Sequence, residues 1–234
     1  MQPMDEDWTH AVCVVAHPDD LEYGAASAVA RWTGQGKRVS YVLVTSGEAG
    51  IAGQEPAEVG PLREEEERRS AAIVGVSDVL FLGHADGMVE NGLALRRDLT
   101  RAFRLLQPDV VVTMSFDFTW GEEGPVNHAD HRAVGVAVLD ACRDAANEWV
   151  FRDLDLPRTA IKDAYVCATG NPTHFVDVTD TIDRGVASLK AHQAYLDGLG
   201  GDFDPDEFLR NAAGYVGLAA GCEYAVGVRK YPVG

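Results

Sequence analysis

Basic residues, cysteines and long apolar runs are scarce in this chain of 234 residues, and each scarcity excludes a class of protein. The chain has 20 Lys and Arg against 37 Asp and Glu, and its formal charge of -17 argues against nucleic acid as a partner. No apolar run is long enough to cross a bilayer, so we expect no membrane partner. The first ten residues, MQPMDEDWTH, are acidic and unlike a secretory signal, and we therefore expect a cytoplasmic protein.

The four cysteines, Cys13, Cys142, Cys167 and Cys222, are far apart and form no C-x-x-C pair. Their apolar surroundings favour buried free thiols over disulfides or zinc ligands. The apolar fraction of 46% is ordinary for a globular protein. Because the sequence has no internal repeat or break in composition, we expect a single domain over residues 1–234.

Apolar, β-branched runs alternate with segments of helical spacing through the first half of the chain. We expect strands at 11–16, 38–45, 79–82 and 109–115, with helices at 24–32, 63–74 and 94–106 between them. This alternation predicts an α/β fold with a Rossmann-like, mostly parallel sheet and helices on both faces. Residues 51–62 lack periodicity and are expected to form a surface loop.

The rest of the chain is expected to add helices at 127–145, 180–196 and 206–213, and strands at 162–168, 174–178 and 224–228. Asn127 is expected to cap the first of these helices.

Two polar motifs follow strong predicted strands. His17, Asp19 and Asp20 come directly after the first strand, and Asn-His-Ala-Asp-His at 127–131 opens the helix after the fourth. In an open α/β sheet, ligands bind at the carboxyl ends of the strands, so both motifs point to one site. Catalytic zinc takes three protein ligands, often two histidines and a carboxylate, and leaves one position for water.

The predicted ligand set is His17, one of the two adjacent aspartates, and one histidine of the pair at 128 and 131. The other aspartate would accept a proton from the attacking water, and the other histidine would stabilise an oxyanion or protonate the leaving amine. Each motif alone also fits an ordinary turn or a capped helix start, and only their combination favours a metal site. His10 and His174 are not part of a motif with other candidate ligands, whereas His84 lies in a loop at the same end of the sheet.

These motifs resemble those of a known family, the zinc-dependent LmbE/PIG-L de-N-acetylases, also called the GlcNAc-PI de-N-acetylase family. The resemblance rests on AHPDD at 16–20, TSGEAG at 45–50, Arg63 with Glu66, GHADG at 83–87 and HADH at 128–131. It implies an LmbE-like fold and one bound Zn²⁺, with other divalent metals allowed.

The resemblance also implies a role for each matching residue. It implies that His17, Asp20 and His131 bind the metal, that Asp19 is the general base, and that His128 stabilises the oxyanion or acts as the acid. It places Asp130 in support of the catalytic groups, and Arg63, Asp86 and His192 on the substrate side.

The sequence departs from the family pattern at three places. Val126 replaces a tyrosine that some members carry two residues before the first histidine of H-x-D-H, and Leu21 follows HPDD where many members have glutamate. Ala194 and Tyr195 replace the Ser-Gln that follows the histidine matched by His192. These departures leave the substrate open.

The leading hypothesis is a zinc amide hydrolase that removes an N-acetyl or other acyl group from an amino sugar or glycoconjugate. A thiol-conjugate amidase or a natural-product tailoring amidase of the same family is the alternative within this chemistry. Outside it, the chain could be a non-catalytic sugar- or nucleotide-binding protein, although no G-x-G-x-x-G follows the first strand. A family member that binds metal without activity, and a homo-oligomer, also stay open.

Overall fold

The protein is described by a computed structural model that covers residues 1–121, 123–201 and 203–234. The strands are β1 (Gln2–Pro3), β2 (His10–Val15), β3 (Arg38–Leu43), β4 (Asp78–Phe81), β5 (Val110–Met114), β6 (Asp163–Cys167), β7 (His174–Asp177) and β8 (Ala225–Pro232). The α-helices are α1 (Asp20–Gly24), α2 (Ala26–Gly34), α3 (Pro56–Ile73), α4 (Leu93–Leu106), α5 (Ala129–Ala146), α6 (Ile182–Lys190), α7 (Gln193–Leu199) and α8 (Pro205–Ala220), and a 3₁₀ turn spans Arg152–Leu154.

The eight strands form one sheet in the order β1-β7-β8-β6-β5-β2-β3-β4. All neighbouring strands are parallel except β8, which runs antiparallel to both β6 and β7. β8 follows the end of α8 after a short turn. The predicted α/β fold with a mostly parallel sheet is confirmed.

Strand β2 is buried along its whole length, as its continuous apolar run predicts for a strand covered on both faces. Cys13 and Val15 pack into the core on the side of α2, whereas Val12 and Val14 pack into a second core with α4 and α5. These two cores fix the position of β2 in the centre of the sheet.

The order of the strands reverses at β2, which lies between β3 on one side and β5 on the other. Both neighbours are parallel to β2, with Ala11 opposite Val39 in β3 and Val110 in β5. The carboxyl ends of β2 and β5 therefore lie side by side, and the segments that follow them can meet above this edge.

Helix boundaries differ from the prediction in four places, the simplest being α8, which extends to Ala220 where its predicted end was 213. Helix α3 begins at Pro56, inside the predicted loop, because proline suits a first helical position even where the apolar periodicity is weak. The helix predicted at 24–32 corresponds to α2, which begins at Ala26, and the short helix α1 precedes it from Asp20 to Gly24. The helix predicted at 180–196 is two helices, and His192 lies at the break between them.

All four cysteines are free, and Cys13, Cys142 and Cys167 are buried, in agreement with the prediction. Cys222 is half-buried. Among the described residues, no helix is both long enough and apolar enough to cross a membrane.

Candidate metal centre and active site

Three side chains that are distant in sequence converge at the carboxyl edge of β2 and β5. His17 Nδ1 lies 3.1 Å from His131 Nε2, and Asp20 offers one oxygen 3.1 Å from His131 Nε2 and the other 3.5 Å from His17 Nδ1. Ligands on a tetrahedron around zinc, at about 2.0–2.1 Å from the ion, would be about 3.3 Å apart. The spacing of these three residues fits one such ion.

The outer nitrogens of both histidines are already engaged. His17 Nε2 lies 3.0 Å from Asp86 Oδ1 and 3.3 Å from Asp130 Oδ2, and His131 Nδ1 lies 3.0 Å from Asn127 Oδ1. A metal-ligating histidine usually donates its second ring N–H to such an acceptor, which fixes the tautomer and the ring orientation. The nitrogens left for a metal are therefore His17 Nδ1 and His131 Nε2.

His17, Asp86 and Asp130 also lie close enough together to be considered a metal site. However, the oxygens of Asp130 accept the backbone N–H groups of Gly87 at 2.7 Å and Val89 at 3.2 Å. Asp86 accepts the N–H of Ala49 at 2.8 Å. Both carboxylates are thus fixed acceptors that orient His17, which favours the set of His17, Asp20 and His131 as the ligands.

The charges at this cluster favour a cation. Burial lowers the pKa of His17, but Asp20, Asp130 and Asp86 outweigh it and raise that pKa well above its usual value. Burial also opposes ionisation of Asp20, yet His131 and His17 hold the pKa of Asp20 below its usual range. The site concentrates ionised carboxylates around two imidazoles, an arrangement suited to a divalent ion.

Asp19 faces a different environment from its neighbour Asp20. Its Oδ2 accepts a hydrogen bond from Arg63 Nη2 at 3.0 Å, and both side chains are buried. Burial raises the pKa of Asp19 to about 6, against the attraction of Arg63. A carboxylate with a pKa near neutrality can take a proton from water more readily, so the two aspartates are suited to the two roles predicted for them.

A cavity of about 780 Å³ opens beside the cluster. Its lining includes the charged and polar groups His17, Asp19, Asp20, Arg63, Asp86, His128 and His131. It also includes the apolar side chains Trp120, Pro172, Leu199, Phe208 and Val226. The His128 ring stacks on that of His131 with centroids 4.9 Å apart, and burial together with His131 and His17 lowers the pKa of His128.

Comparison with known proteins identifies the family. The GlcNAc-PI de-N-acetylase family, PIG-L, matches residues 12–142 of the sequence, which includes every residue of the proposed metal set. The chain belongs to this family. The predicted family is thus confirmed, and so is the predicted class of enzyme, a deacetylase that hydrolyses amide carbon–nitrogen bonds.

Individual relatives extend the similarity beyond the matched region. The chain is 29% identical over 232 residues to diacetylchitobiose deacetylase of Thermococcus kodakarensis, covering 97% of this chain and 84% of that one. It is also 28% identical, over an alignment of 278 positions, to the 1D-myo-inositol 2-acetamido-2-deoxy-alpha-D-glucopyranoside deacetylase of Acidothermus cellulolyticus. This alignment covers 94% of this chain and 90% of that one.

The fold matches a solved relative over nearly its whole length. The structure of N,N'-diacetylchitobiose deacetylase from Pyrococcus horikoshii, in complex with its inhibitor MPG, superposes with a TM-score of 0.86 at 26% identity. The match covers 97% of this chain and 85% of that one. The LmbE-like fold predicted from the motifs is therefore confirmed.

The residues predicted on the substrate side divide into two groups. Arg63 and Asp86 line the cavity. His192 is not among the residues that line it; its fully buried side chain lies between Glu22 and Glu67, with Nε2 3.6 Å from an oxygen of each. The substrate-facing position that the family motif implies for His192 is therefore not the one it occupies here.

The other histidines lie outside the cavity. His84 Nε2 is 3.1 Å from Asp98 Oδ2, and His10 Nε2 is 3.0 Å from Ser40 Oγ at the amino end of β2. His174 contacts Thr173 in the outer part of the sheet. Position at the correct end of the sheet was thus not sufficient to bring His84 into the site.

Sequence reasoning missed two residues of the site. Asn127 was predicted to cap α5, but its side-chain amide N–H donates to Ser115 O at 2.9 Å and its Oδ1 contacts His131. The capping position of α5 is occupied by His128, whose side chain makes no capping hydrogen bond. The sequence signal for this role was that Asn127 precedes His131 by one helical turn.

Tyr195 is the second missed residue. It lines the cavity, and the Arg63 guanidinium carbon lies 4.6 Å from the centroid of its ring. A phenol is therefore present at the site, although Val126 stands where some family members have a tyrosine.

Proposed function

We propose that the protein is a zinc-dependent N-deacetylase that removes the acetyl group from an acetamido sugar or a conjugate of one. The convergence of His17 Nδ1, His131 Nε2 and the Asp20 carboxylate beside Asp19, at the wall of a cavity, carries the proposal. The substrates named for the relatives from Thermococcus kodakarensis and Acidothermus cellulolyticus support an N-acetylated amino sugar.

In this proposal His17, Asp20 and His131 hold one zinc ion, and other divalent metals are compatible with the same donors. When bound, zinc would polarise the acetamide carbonyl and lower the pKa of a coordinated water to about 7. Asp130 and Asp86 keep the His17 ring in place, and Asn127 does the same for His131. The ligand positions are thereby fixed before substrate binds.

The chain's own groups would move the protons. Asp19 accepts a proton as the oxygen of water bonds to the acyl carbon, and Arg63 holds the carboxylate in position for this step. His128 lies at the cavity wall and would donate to the developing oxyanion. When the carbon–nitrogen bond breaks, the proton held by Asp19 passes to the leaving nitrogen, and the products are acetate and a free amine.

We expect the His128→Ala substitution to lower kcat by a factor of about 10²–10³, the usual effect of losing one oxyanion donor. Its zinc content should equal that of the wild type, because the ring contacts the ligand His131 by stacking only. Measured kcat together with metal analysis tests this role. His84→Ala is the matched control, and an equal loss of zinc and turnover in His128→Ala would make His128 a ligand instead.

The apolar residues in the cavity lining favour a second candidate. A small acetylated sugar would leave the cavity-facing surfaces of Trp120, Phe208 and Val226 uncovered, whereas a conjugate with an apolar group would cover them. This observation favours a natural-product tailoring amidase over an enzyme for free sugars. A thiol-conjugate amidase is separated from both by its product, an amine released from a larger acyl conjugate.

Product analysis on a small panel tests the proposed function. The purified protein should release acetate from N-acetylglucosamine glycosides, from diacetylchitobiose or from acetamido sugars with apolar aglycones, and the preferred compound distinguishes the two candidates. A chelator should abolish the release, and added zinc should restore it. Release that survives complete removal of metal, or a panel that yields neither acetate nor amine, contradicts the proposal.

A further inference from the structure

Three fully or almost fully buried side chains form a second cluster behind the proposed active site. Glu22 belongs to α1, Glu67 to α3, and His192 to the break between α6 and α7. His192 Nε2 lies 3.6 Å from one oxygen of each glutamate, and these side chains have no exposed surface. Buried carboxylates are costly without a partner, so this arrangement requires an explanation.

The cluster is connected to Asp19 through its backbone. Glu67 Oε2 accepts the N–H of Asp19 at 3.3 Å, and Arg63 Nη2 donates to the carbonyl of Pro18 at 2.5 Å. That carbonyl and that N–H belong to the same peptide unit. The peptide is therefore held at both ends, by Arg63 from the cavity side and by Glu67 from the buried side.

This peptide needs support because Asp19 has an uncommon backbone conformation. Its φ of 91° lies in the left-handed region, which non-glycine residues rarely adopt. Such conformations persist where the surrounding structure over-determines them, and they direct a side chain that an extended or helical backbone would turn elsewhere. Here the conformation separates the Asp19 carboxylate, on Arg63, from the Asp20 carboxylate, on the two histidines.

His192 faces Glu67 as an ion-pair partner and not through a hydrogen bond, because its Nε2 lies 3.6 Å from Glu67 Oε2 and has no hydrogen-bond partner among the described residues. In the part of the chain that the structure describes, the imidazole of His192 is the cationic side chain within ion-pair distance of Glu22 and of Glu67. Glu22 is also held by the hydroxyl of Ser70 at 2.7 Å, but Glu67 Oε1 has no hydrogen-bond partner among the described residues. Without His192, two buried carboxyl groups would face each other, and Glu67 would lose the ion pair that offsets their repulsion.

We infer that His192 is a positioning residue that acts through Glu67 on the Pro18–Asp19 peptide and so directs the Asp19 carboxylate. This inference rests on the proposed function for the role of Asp19 as the base. His192 touches neither the cavity nor the proposed metal ligands, and it acts from behind the peptide that carries the base.

The test compares His192→Gln with His10→Gln. Both remove a buried histidine, but His10 lies at the far end of β2 and contacts Ser40. We expect His192→Gln to lower kcat about 10- to 100-fold, the usual effect of removing a group that orients catalytic residues, with KM and zinc content nearly unchanged. His10→Gln should keep the wild-type kcat.

Glu67 provides an independent arm of the same test. Glu67→Gln keeps an oxygen for the Asp19 N–H and should retain more activity than Glu67→Ala. Because both residues act along one path, His192→Gln combined with Glu67→Ala should be no slower than Glu67→Ala alone. Effects that add fully in the double variant would overturn the inference.

A readout that is independent of activity separates this inference from the proposed function. Hydrogen–deuterium exchange of peptides that contain residues 17–20 should become faster in His192→Gln and stay at the wild-type rate in His10→Gln. The inference would be overturned if the exchange of these peptides is unchanged in His192→Gln, or if the kcat of His192→Gln is no lower than that of His10→Gln. It would also be overturned if the wild type binds a second zinc ion that His192→Gln loses. A wild-type protein without deacetylase activity would refute the proposed function while leaving the exchange result to decide whether His192 holds the peptide.

Discussion

The Asp19→Asn enzyme is expected to keep its metal and to lose turnover by a factor of about 10³, within the range for removal of a general base. Asparagine is the sharpest replacement because it tolerates the left-handed backbone that Asp19 adopts and its amide oxygen can still accept from Arg63. It cannot take a proton from water at neutral pH. The substitution therefore removes the base while leaving the geometry of the loop.

Turnover number and zinc content measured on the same preparation test this expectation. Asp98→Asn is the matched control, because Asp98 pairs with His84 away from the cavity. A control with wild-type kcat beside a strongly impaired Asp19→Asn would assign the loss to the base. An Asp19→Asn enzyme with the wild-type kcat would show that the proton is taken elsewhere, and a parallel loss of zinc would show that Asp19 is a ligand.

The substitutions Asp20→Ala and His131→Ala are expected to abolish both zinc binding and hydrolysis. Each removes one of three donors, and a catalytic zinc site rarely holds its ion with two protein ligands. In Asp20→Ala, two imidazoles 3.1 Å apart would also lose the carboxylate that lies against both. We expect less than about a tenth of the wild-type zinc content in each variant after dialysis.

Metal analysis with circular dichroism checks that the zinc is lost from a folded protein. His84→Ala serves as the matched histidine control and should bind zinc as the wild type does. If Asp20→Ala and His131→Ala retain stoichiometric zinc, the ligand set is wrong. If these variants keep their zinc but a substitution of Asp86 removes it, the ligand set is instead His17, Asp86 and Asp130.

The sheet could be predicted because its signals are local and strong. The apolar runs of β2 and β5 allow little except buried parallel strands, and the polar residues after them mark the edge where ligands bind. From these signals the meeting of His17 with the segment 127–131 followed without knowledge of the intervening structure, whereas the choice of His131 over His128 as the ligand came from the resemblance to the family. The start of α3 at Pro56 could not be predicted as readily, because its first turns lack an apolar stripe.

The supporting residues were harder to predict, because their roles depend on contacts between distant segments. Asn127 has the same local pattern whether it caps α5 or holds His131, and only the path of the loop after β5 decides between them. His192 shares a motif with the family, but its burial between Glu22 and Glu67 depends on how α6 packs against α1 and α3. Spacing along a helix carries no information about such contacts.

X-ray diffraction from crystals of the zinc-loaded protein, recorded on both sides of the zinc absorption edge, tests the central claim most directly. We expect one anomalous peak per chain, at about 2.0–2.2 Å from His17 Nδ1, His131 Nε2 and an oxygen of Asp20, with Asp19 outside the bonding distance. A peak between Glu22, Glu67 and His192, or none within reach of both His17 and His131, would contradict it.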